Sequence, residues 1–336
     1  MTYNTLQEVF SAFNNLKVLI IGDAMIDSYV WGKVERISPE APVPIIQVKK
    51  KEKRLGGAAN VVKNIQALGA TPILCTVIGN DLEGNYFNDL LEKRNIPLEG
   101  IIRSEVRKTT VKERFLSGSQ HILRVDDEHM HQLSREERKA LKDRIEILLG
   151  SVDVVVFEDY DKGVLTKEII EFTIKKSNEL GIPSVVDPKK KNFYHYAGAS
   201  LFKPNLKEIK DGMKIDLEND DLSGLKKAVS KLREKMNLKC VMVTLSERGI
   251  LISENETEVL IPAHVRSVSD VSGAGDTVVS IASLCLGLGL SPSFTAALSN
   301  LGGGLVCEHL GVVSIDKEEL LQEAIHYDLK PDQIKP

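Results

Sequence analysis

The feature that most constrains this chain is the alternation of continuous apolar runs with amphipathic stretches of helical length. Five runs rich in valine and isoleucine have the length of strands: 17–23, 72–79, 152–159, 182–188 and 239–245. The stretches between them predict helices over 57–68, 81–94, 134–149, 166–180 and 222–236. Strands that are apolar on both faces belong in a sheet that is covered on both sides. We therefore predict an α/β fold built on a doubly wound, mainly parallel sheet.

Two stretches depart from this alternation. Residues 29–51 and 109–125 contain short runs of alternating polar and apolar residues with no helix between them. They predict a small second β-sheet that lies as a lid over the carboxyl edge of the main sheet. The alternative is a hairpin at the edge of the main sheet. Because the chain contains no internal repeat and no linker-like segment, we treat residues 1–336 as one domain.

Composition excludes several classes of function. The formal net charge of -4 provides no general attraction to nucleic acid or to an anionic membrane. The four cysteines are far apart and form no zinc or disulfide motif, and the N-terminus lacks a signal-peptide pattern, so we expect a cytoplasmic protein. Residues 277–307 carry no charge, but Ser291-Pro292 is a helix-start signal, which favours two buried helices over a membrane span.

The stretch DVSGAGDT, residues 270–277, precedes a long apolar run. We expect a short strand that ends near Val268, then a glycine turn, then a helix from about Asp276. Glycines allow close approach of the backbone to a ligand, and the free amides of a helix start favour an anion. Asp276 beside those amides can accept the proton of an attacking hydroxyl. The alternative is an ordinary helix whose first turn carries an acidic residue. No GxxxxGK(S/T) motif and no third glycine are present, which sets aside a P-loop and a dinucleotide-binding site.

Further polar motifs follow predicted strands. Asp23 and Asp27 suit the paired hydroxyls of a sugar, although an aspartate after a strand is often a turn former. Gly56 and Gly57 precede Asn60 at a helix start, where the alternative is simple packing.

Two loops in the second half of the chain complete the set. Residues 203–208 (KPNLKE) follow a strand and begin a helix, and residues 244–249 (TLSERG) connect two strands. In a doubly wound sheet both loops lie where a nucleotide can bind.

Taken in this order and at these separations, the motifs resemble the ribokinase-like (PfkB) family of sugar kinases, over nearly the whole chain. Residues 36–48, 56–69, 158–165 and 202–208 look most like the branch that phosphorylates heptose 7-phosphate, the kinase half of bifunctional ADP-heptose synthases. The resemblance implies an ATP-dependent kinase that uses Mg²⁺ and acts on the anomeric hydroxyl of the sugar.

The resemblance also implies roles for individual residues. Asp276 is the expected base, and the amides of Gly273, Ala274, Gly275 and Asp276 form the expected anion hole. The expected nucleotide-binding residues are Asn205, Glu208, Thr244, Ser246, Gly249 and Asn300. The expected sugar-binding residues are Asp23, Asp27, Gly56, Gly57 and Asn60. Oxygens around Asp270 and Ser314 are the expected ligands of a possible K⁺ ion.

A sugar that already carries a phosphate needs positive charge at its far end, for which Arg36 and Lys189 are the candidates. Lys190 and Lys191 extend that lysine run, although such a run is usually a solvated face. Apolar lid strands predict a homodimer joined through the lids. The chain has no nucleotidyltransferase motif, so we expect a separate nucleotidyltransferase to act downstream.

Two segments depart from the family pattern. Val271-Ser272 replaces a more usual threonine pair, and residues 158–161 (EDYD) add a carboxylate near the expected sugar site. Two alternatives therefore remain at this point. One is another PfkB kinase acting on ribose, fructose phosphate or a nucleoside, and the other is a non-catalytic sensor.

Overall fold

The computed structural model describes residues 3–118, 120–255, 257–264 and 266–331. Its strands are β1 (Lys17–Gly22), β2 (Ala24–Ile37), β3 (Pro44–Gly57), β4 (Thr71–Gly79), β5 (Ile101–Ser104), β6 (Thr110–Ser117), β7 (Gln120–Asp127), β8 (Val154–Glu158), β9 (Ser184–Asp187), β10 (Leu201–Phe202), β11 (Cys240–Thr244), β12 (Ile250–Glu254) and β13 (Thr257–Ile261). Its α-helices are α1 (Leu6–Ala12), α2 (Ala58–Ala67), α3 (Leu82–Glu92), α4 (Arg135–Leu149), α5 (Lys167–Leu180), α6 (Leu206–Met213), α7 (Leu222–Lys235), α8 (Ala274–Gly287), α9 (Pro292–Val306) and α10 (Lys317–His326).

The main sheet has nine strands in the order β13-β12-β11-β10-β9-β8-β1-β4-β5. Neighbours from β5 to β11 run parallel, and β12 and β13 extend the sheet antiparallel beyond β11. All five predicted strands and all five predicted helices are present. The doubly wound, mainly parallel sheet is therefore confirmed.

The alternation of side chains along β1 shows why the sheet is covered on both faces. Val18 and Ile20 are buried in a core that includes side chains of α1, α2, α8, α9 and α10. Leu19 and Ile21 point the opposite way, into a core that includes side chains of α4, α5 and α7. Successive residues of a strand face opposite sides, so an uninterrupted apolar strand requires helices on both.

The lid is a separate four-stranded sheet with the order β3-β2-β6-β7, as predicted. Its strands extend closer to the main sheet than expected, since β2 begins at Ala24 and β3 continues to Gly57. The predicted segment 109–125 includes Ser119, which lies outside the described residues.

The uncharged stretch forms two buried helices, α8 and α9, as predicted. Ser291 caps α9 by accepting a hydrogen bond from the amide of Phe294, and Pro292 occupies its first turn. Within the described ranges, no helix is long and apolar enough to cross a membrane.

The predicted strand ending near Val268 is wrong. The last strand, β13, ends at Ile261, and the described residues between it and α8 belong to no strand. The amides of Ser269 and Asp270 instead donate to the carbonyl of Cys307, beyond the end of α9. This segment therefore runs beside α9, and Val268 is exposed rather than packed in a sheet. Val265 lies outside the described residues.

Candidate active site

The carboxyl edge of the main sheet brings together side chains from strands that are distant in the sequence. Gly22 of β1 pairs with Glu158 of β8, and Glu158 pairs with Asp187 of β9. Lys203 follows β10, and its amide donates to the carbonyl of Val186. Because parallel strands end at the same edge, these residues form one row at the place where doubly wound sheets bind ligands.

Asp276 lies in the first turn of α8, directly after the glycine turn. Gly273 is the N-cap and has a left-handed φ of 84°, which residues with side chains rarely adopt. The buried carboxylate of Asp276 accepts a hydrogen bond of 3.0 Å from the hydroxyl of Tyr160. Burial and the charge of Asp187 raise the pKa of Asp276 to about 6, while hydrogen bonds from Tyr160 and Asn60 oppose that rise. At neutral pH this carboxylate is mainly ionised and can accept a proton.

Three buried carboxylates, Glu158, Asp187 and Asp276, place oxygen atoms within 4.8 Å of one another. Burial, with the charges of Asp187 and Asp276, raises the pKa of Glu158 well above its usual range. Among the described residues, Oε2 of Glu158 is buried without a hydrogen-bond partner. Lys203, itself buried, pairs with Asp187 at 3.0 Å. A divalent cation with a preference for oxygen ligands fits this donor set, because it would neutralise the repulsion among the carboxylates.

Asp23 anchors the loop that carries Tyr160. Its Oδ1 accepts a hydrogen bond from the amide of Val164, and its Oδ2 accepts from the amides of Tyr160 and Lys162, each at 3.0 Å. Burial and the charge of Asp159 nevertheless raise the pKa of Asp23 to about 6. In this structure, backbone amides thus engage both oxygens of a residue that was expected to bind the sugar.

The other predicted sugar residues lie together at the base of the lid. Asp27 of β2 pairs with Arg114 of β6 at 2.6 Å. Its carboxylate rests against Gly56, where a Cβ would fall 2.3 Å from Oδ2. Gly57, with a left-handed φ of 59°, leads into α2, whose first turn carries Asn60, a hydrogen-bond partner of Asp276. Within the described part of the chain, the buried Oδ1 of Asn60 has no hydrogen-bond partner.

A cavity of about 740 Å³ adjoins Asp276. Its lining includes all six residues predicted for the nucleotide, Asn205, Glu208, Thr244, Ser246, Gly249 and Asn300, together with Ala274 and Gly275 of the glycine turn. Four regions of the sequence that are separated by tens of residues therefore meet in one site.

Asn205 and Glu208 form a capping box at the start of α6. Oδ1 of Asn205 accepts a hydrogen bond from the amide of Glu208 at 2.8 Å, and Oε2 of Glu208 accepts one from the amide of Asn205 at 2.9 Å. The other oxygen of Glu208 accepts a bond of 2.5 Å from Nζ of Lys189. Lys189 also lines this cavity.

An apolar wall of the cavity was not predicted from the sequence. It includes Ala263, Val268, Val271, Val278 and Cys307, with His264 and Arg266 beside them. Arg266 is fixed by two carboxylates, Glu308 at 2.9 Å and Glu323. A largely apolar slot with a few fixed polar groups suits a flat heteroaromatic ring. Most of these residues come from the irregular segment between β13 and α8, where the sequence has no periodicity, while Val278 belongs to α8 and Cys307 follows α9.

Asp270 joins two loops near the glycine turn. Its Oδ1 accepts from the amide of Ser272 and its Oδ2 from the amide of Gly311, both at 2.9 Å. Burial alone would raise the pKa of Asp270, but these hydrogen bonds lower it below its usual range. Ser314 follows in the second of these loops.

The two cations expected to bind a substrate phosphate lie apart from the sugar recess, which we define as the surroundings of Asp27, Gly56 and Asn60 where the sugar is expected. Arg36 is exposed near the outer end of β2, nine positions beyond Asp27, which corresponds to roughly 30 Å of extended strand. Lys189 is engaged by Glu208 and lines the cavity beside Asp276 that is expected to hold the nucleotide. The structure therefore brings neither of them to Asp27.

Comparisons with known proteins agree with this architecture. The sequence pattern of the pfkB family carbohydrate kinases matches residues 15–319. The "Bifunctional protein HldE" of Citrifermentans bemidjiense is 37% identical over 97% of this chain and 67% of its own length. The proteins of the same name from Sulfurimonas denitrificans and Helicobacter pylori strain J99 are 39% and 40% identical, over 95% and 94% of this chain and 67% and 68% of their own lengths. The chain thus spans about two thirds of the length of these relatives.

Solved structures show the same fold. Escherichia coli phosphofructokinase-2 in complex with potassium aligns with a TM-score of 0.76 at 18% identity, over 93% of this chain and 98% of that one. Arabidopsis thaliana ribokinase complexed with ribose and ATP aligns with a TM-score of 0.70 at 16% identity, over 91% of this chain and 99% of that one. The ribokinase-like fold with a small β-sheet lid is therefore confirmed.

Proposed function

The chain belongs to the pfkB family of carbohydrate kinases, and on this premise we propose that it phosphorylates the anomeric hydroxyl of D-glycero-D-manno-heptose 7-phosphate. The hydroxyl oxygen attacks the terminal phosphorus of ATP, ADP leaves, and the product is the 1,7-bisphosphate. Relatives named bifunctional protein HldE, at 36–40% identity, support this branch of the family. The reaction belongs to the synthesis of ADP-heptose, a lipopolysaccharide core precursor, in the cytoplasm.

The observation that carries the proposal is the position of Asp276. Its carboxylate lines the nucleotide cavity and is also bonded to Tyr160, on the loop beside the sugar recess. In the proposal Asp276 accepts the proton of the attacking hydroxyl, and the amides of Gly273 to Asp276 stabilise the charge on the transferred phosphoryl group. A pKa of about 6 keeps this base ionised at neutral pH while allowing proton transfer.

The nucleotide occupies the cavity of about 740 Å³ in this proposal. Adenine lies against the apolar wall near Val268 and Cys307. The phosphates extend towards the helix starts of α6 and α8, where free amides favour anions. Lys189 and Lys203 add positive charge at that end, beside Asn205 and Glu208.

Two cations complete the proposed site. Glu158 and Asp187 would hold Mg²⁺, which neutralises charge on the phosphates of ATP when bound. Asp276, the third carboxylate of that cluster, stays available as the base. K⁺ is proposed near Asp270 and Ser314, in the two loops that the hydrogen bond from Gly311 to Asp270 ties together.

We also assign partners within the proposal. The protein forms a homodimer through its lids, because apolar side chains are exposed on the lid face that points away from Asp27. A nucleotidyltransferase acts after this kinase to complete ADP-heptose.

The test is a screen of the purified chain with Mg-ATP against heptose 7-phosphate, heptose, fructose 6-phosphate, ribose and adenosine. ADP release is followed by a coupled assay, and the product by ³¹P NMR. We expect the highest kcat/KM for heptose 7-phosphate and a new phosphate signal at the anomeric carbon. A preference for any other acceptor, or phosphorylation at another position, contradicts the proposal.

A further inference from the structure

One face of the lid carries a group of cations beside Asp27. The register of β2 with β6 pairs Asp27 with Lys112 and Tyr29 with Arg114. The register of β6 with β7 pairs Arg114 with Arg124. Directly paired residues share a face of a sheet, so all three cations lie on the face that presents Asp27. Lys112 is beside Asp27, and the two arginines are one row farther from the main sheet, about 7 Å away.

Lys112 has little compensation for its charge. Its side chain is only 16% exposed, and the carboxylate of Asp126 is 3.9 Å from Nζ. Burial lowers the pKa of Lys112 and the nearby positive charge of Lys162 lowers it further, while the carboxylates of Asp126 and Glu128 oppose that fall. Lys162 is itself occupied by Glu128 at 2.6 Å. An ammonium group that is largely desolvated and weakly paired gains strongly from an anionic ligand.

The guanidinium of Arg114 is fixed by several contacts, but some of its N–H donors have no acceptor among the described residues. Its Nη1 donates to Asp27 at 2.6 Å and to the carbonyl of Lys112 at 3.3 Å. Its guanidinium lies over the ring of Tyr29, with 5.3 Å between Cζ and the ring centroid. No acceptor among the described residues engages Nε or Nη2. This remaining edge has the fork geometry that binds phosphate oxygens.

The position of this group relative to the sugar recess indicates its ligand. Asp27 lies against Gly56, next to the start of α2 that carries Asn60. In the proposed function the anomeric hydroxyl meets Asp276 and the ring hydroxyls meet Asp27, so we place the far end of the sugar at the next row of the lid, where Tyr29 pairs with Arg114. Arg36 is too far along β2 and Lys189 is on the nucleotide side, so neither reaches that end.

We propose that the phosphate group already carried by the acceptor sugar binds between Lys112 and Arg114, with Arg124 closing the site from β7. The inference rests on the proposed function, because it assumes that the acceptor is a phosphorylated sugar. It replaces Arg36 and Lys189 as the residues that select such a substrate. Arg114 also positions Asp27 through their ion pair, so its loss would affect more than phosphate binding.

The experiment compares kcat/KM for heptose 7-phosphate and for unphosphorylated heptose in Lys112→Gln, Arg124→Gln and the wild type. Loss of a charged contact to phosphate lowers kcat/KM for the phosphorylated sugar roughly 10–100-fold, with little change for the unphosphorylated sugar or in KM for ATP. The larger effect is expected for Lys112→Gln, because Arg124 is 56% exposed. Lys51→Gln is the matched control, since exposed Lys51 pairs with Val30 and lies on the opposite face of the lid.

Two results overturn the assignment: an equal loss for both sugars in Lys112→Gln, or no loss for either. Isothermal titration with heptose 7-phosphate in the absence of ATP gives an independent measurement, in which Lys112→Gln should bind more weakly. If the wild type prefers fructose 6-phosphate, the heptose proposal fails on its own. In that case, kcat/KM of the wild type and Lys112→Gln is compared for fructose 6-phosphate and fructose, which still shows whether Lys112 binds the phosphate of the acceptor.

Discussion

At the scale of single residues, the role proposed for Asp276 is directly testable. Asp276→Asn removes the basic oxygen at nearly constant volume, so kcat should fall roughly 10²–10⁴-fold while KM for ATP stays nearly unchanged. Steady-state kinetics provide the measurement. Asp89→Asn, on the exposed side of α3, is the matched control and should retain full activity. Near-normal turnover in folded Asp276→Asn would exclude this carboxylate as the base.

A substitution at Gly275 can distinguish a role of the glycine turn in folding from a role in catalysis. A Cβ at this position would meet Oδ2 of Asp187 at 3.7 Å and Nζ of Lys203 at 3.8 Å, which are ordinary contacts. Gly275→Val should therefore fold, but its side chain projects to where the transferred phosphoryl group must approach. We expect the barrier to rise by about 2–4 kcal/mol if one backbone donor is lost. If Gly275→Val leaves both the kinetics and the melting temperature unchanged, Gly275 is needed neither for catalysis nor for close approach of the phosphoryl group.

The buried ammonium group of Lys63 is predicted to lower the free energy of unfolding at neutral pH. It is buried in α2 with Nζ donating to the carbonyl of Leu55 at 3.2 Å, and burial lowers its pKa to about 8. The unfolded chain then binds more protons than the folded chain between about pH 8 and pH 10, so this group makes stability rise with pH in that window. Lys63→Met should remove the rise and stabilise the protein at pH 7 by on the order of 2 kcal/mol.

Urea unfolding at pH 7, 8.5 and 10 checks the prediction for Lys63. Lys139→Met, at an 80% exposed position of α4, is the control and should leave the pH dependence unchanged. A loss of stability in Lys63→Met at pH 7 would show that the ammonium group is needed where it lies.

The sequence identifies several site residues but not their contacts. The glycine turn, Asp276 and the nucleotide residues are visible because short motifs with fixed local geometry carry them. Glu158, Asp187 and Lys112 lack such motifs, because their proximity to the site depends on strand register and pairing. A one-residue shift of β6 would turn Lys112 to the opposite face of the lid. The pairing of Lys189 with Glu208 is likewise a tertiary contact.

At the scale of elements, Arg107 ties the base of the lid to the loop that carries Tyr160. It is buried just before β6, and its Nη2 donates to the carbonyls of His129, His131 and Lys162 at 3.4, 3.5 and 2.6 Å. The first two carbonyls follow β7, and the third belongs to the loop held by Asp23. The position of the lid is thereby coupled to the position of the loop whose Tyr160 donates to Asp276.

Arg107→Met keeps the apolar stem but removes these hydrogen bonds. We expect a loss of about 2–3 kcal/mol in unfolding free energy and faster hydrogen exchange at the amides of 160–164. Lys108→Met, at the next and exposed position, should change neither quantity. Full protection of residues 160–164 in folded Arg107→Met would show that Asp23 alone holds the loop.

Element boundaries show the same limits of sequence analysis. The helices and central strands follow from periodicity, because core contacts impose it on the sequence. The segment before α8 is apolar enough to resemble a strand, yet hydrogen bonds from Ser269 and Asp270 to Cys307 place it beside α9. That partner is almost forty residues away in the chain, so no local pattern reveals it.

At the scale of the whole molecule, the outer face of the lid predicts self-association. Val48, Leu123 and Val125 are 46%, 56% and 45% exposed and lie on the face opposite Asp27. Light scattering at micromolar concentration should show a dimer, and Leu123→Asp with Val125→Asp should give a monomer. Ile147→Asp, at a 73% exposed position of α4, should leave the dimer intact. A monomeric wild type would contradict the proposal.

The short connection between the two sheets has a mechanical consequence. β1 ends at Gly22 and β2 begins at Ala24, so Asp23 alone separates a strand of the body from a lid strand of 14 residues. β2 is therefore an arm of roughly 45 Å whose first residues, such as Ala24 and Ile26, are buried in the core of the body and whose outer residues are exposed. A rotation of β2 by about 10° about its first residue moves its outer end by about 8 Å but Asp27 by only about 2 Å. The outer part of the lid can move across the opening while the proposed sugar contacts near its base stay almost in place.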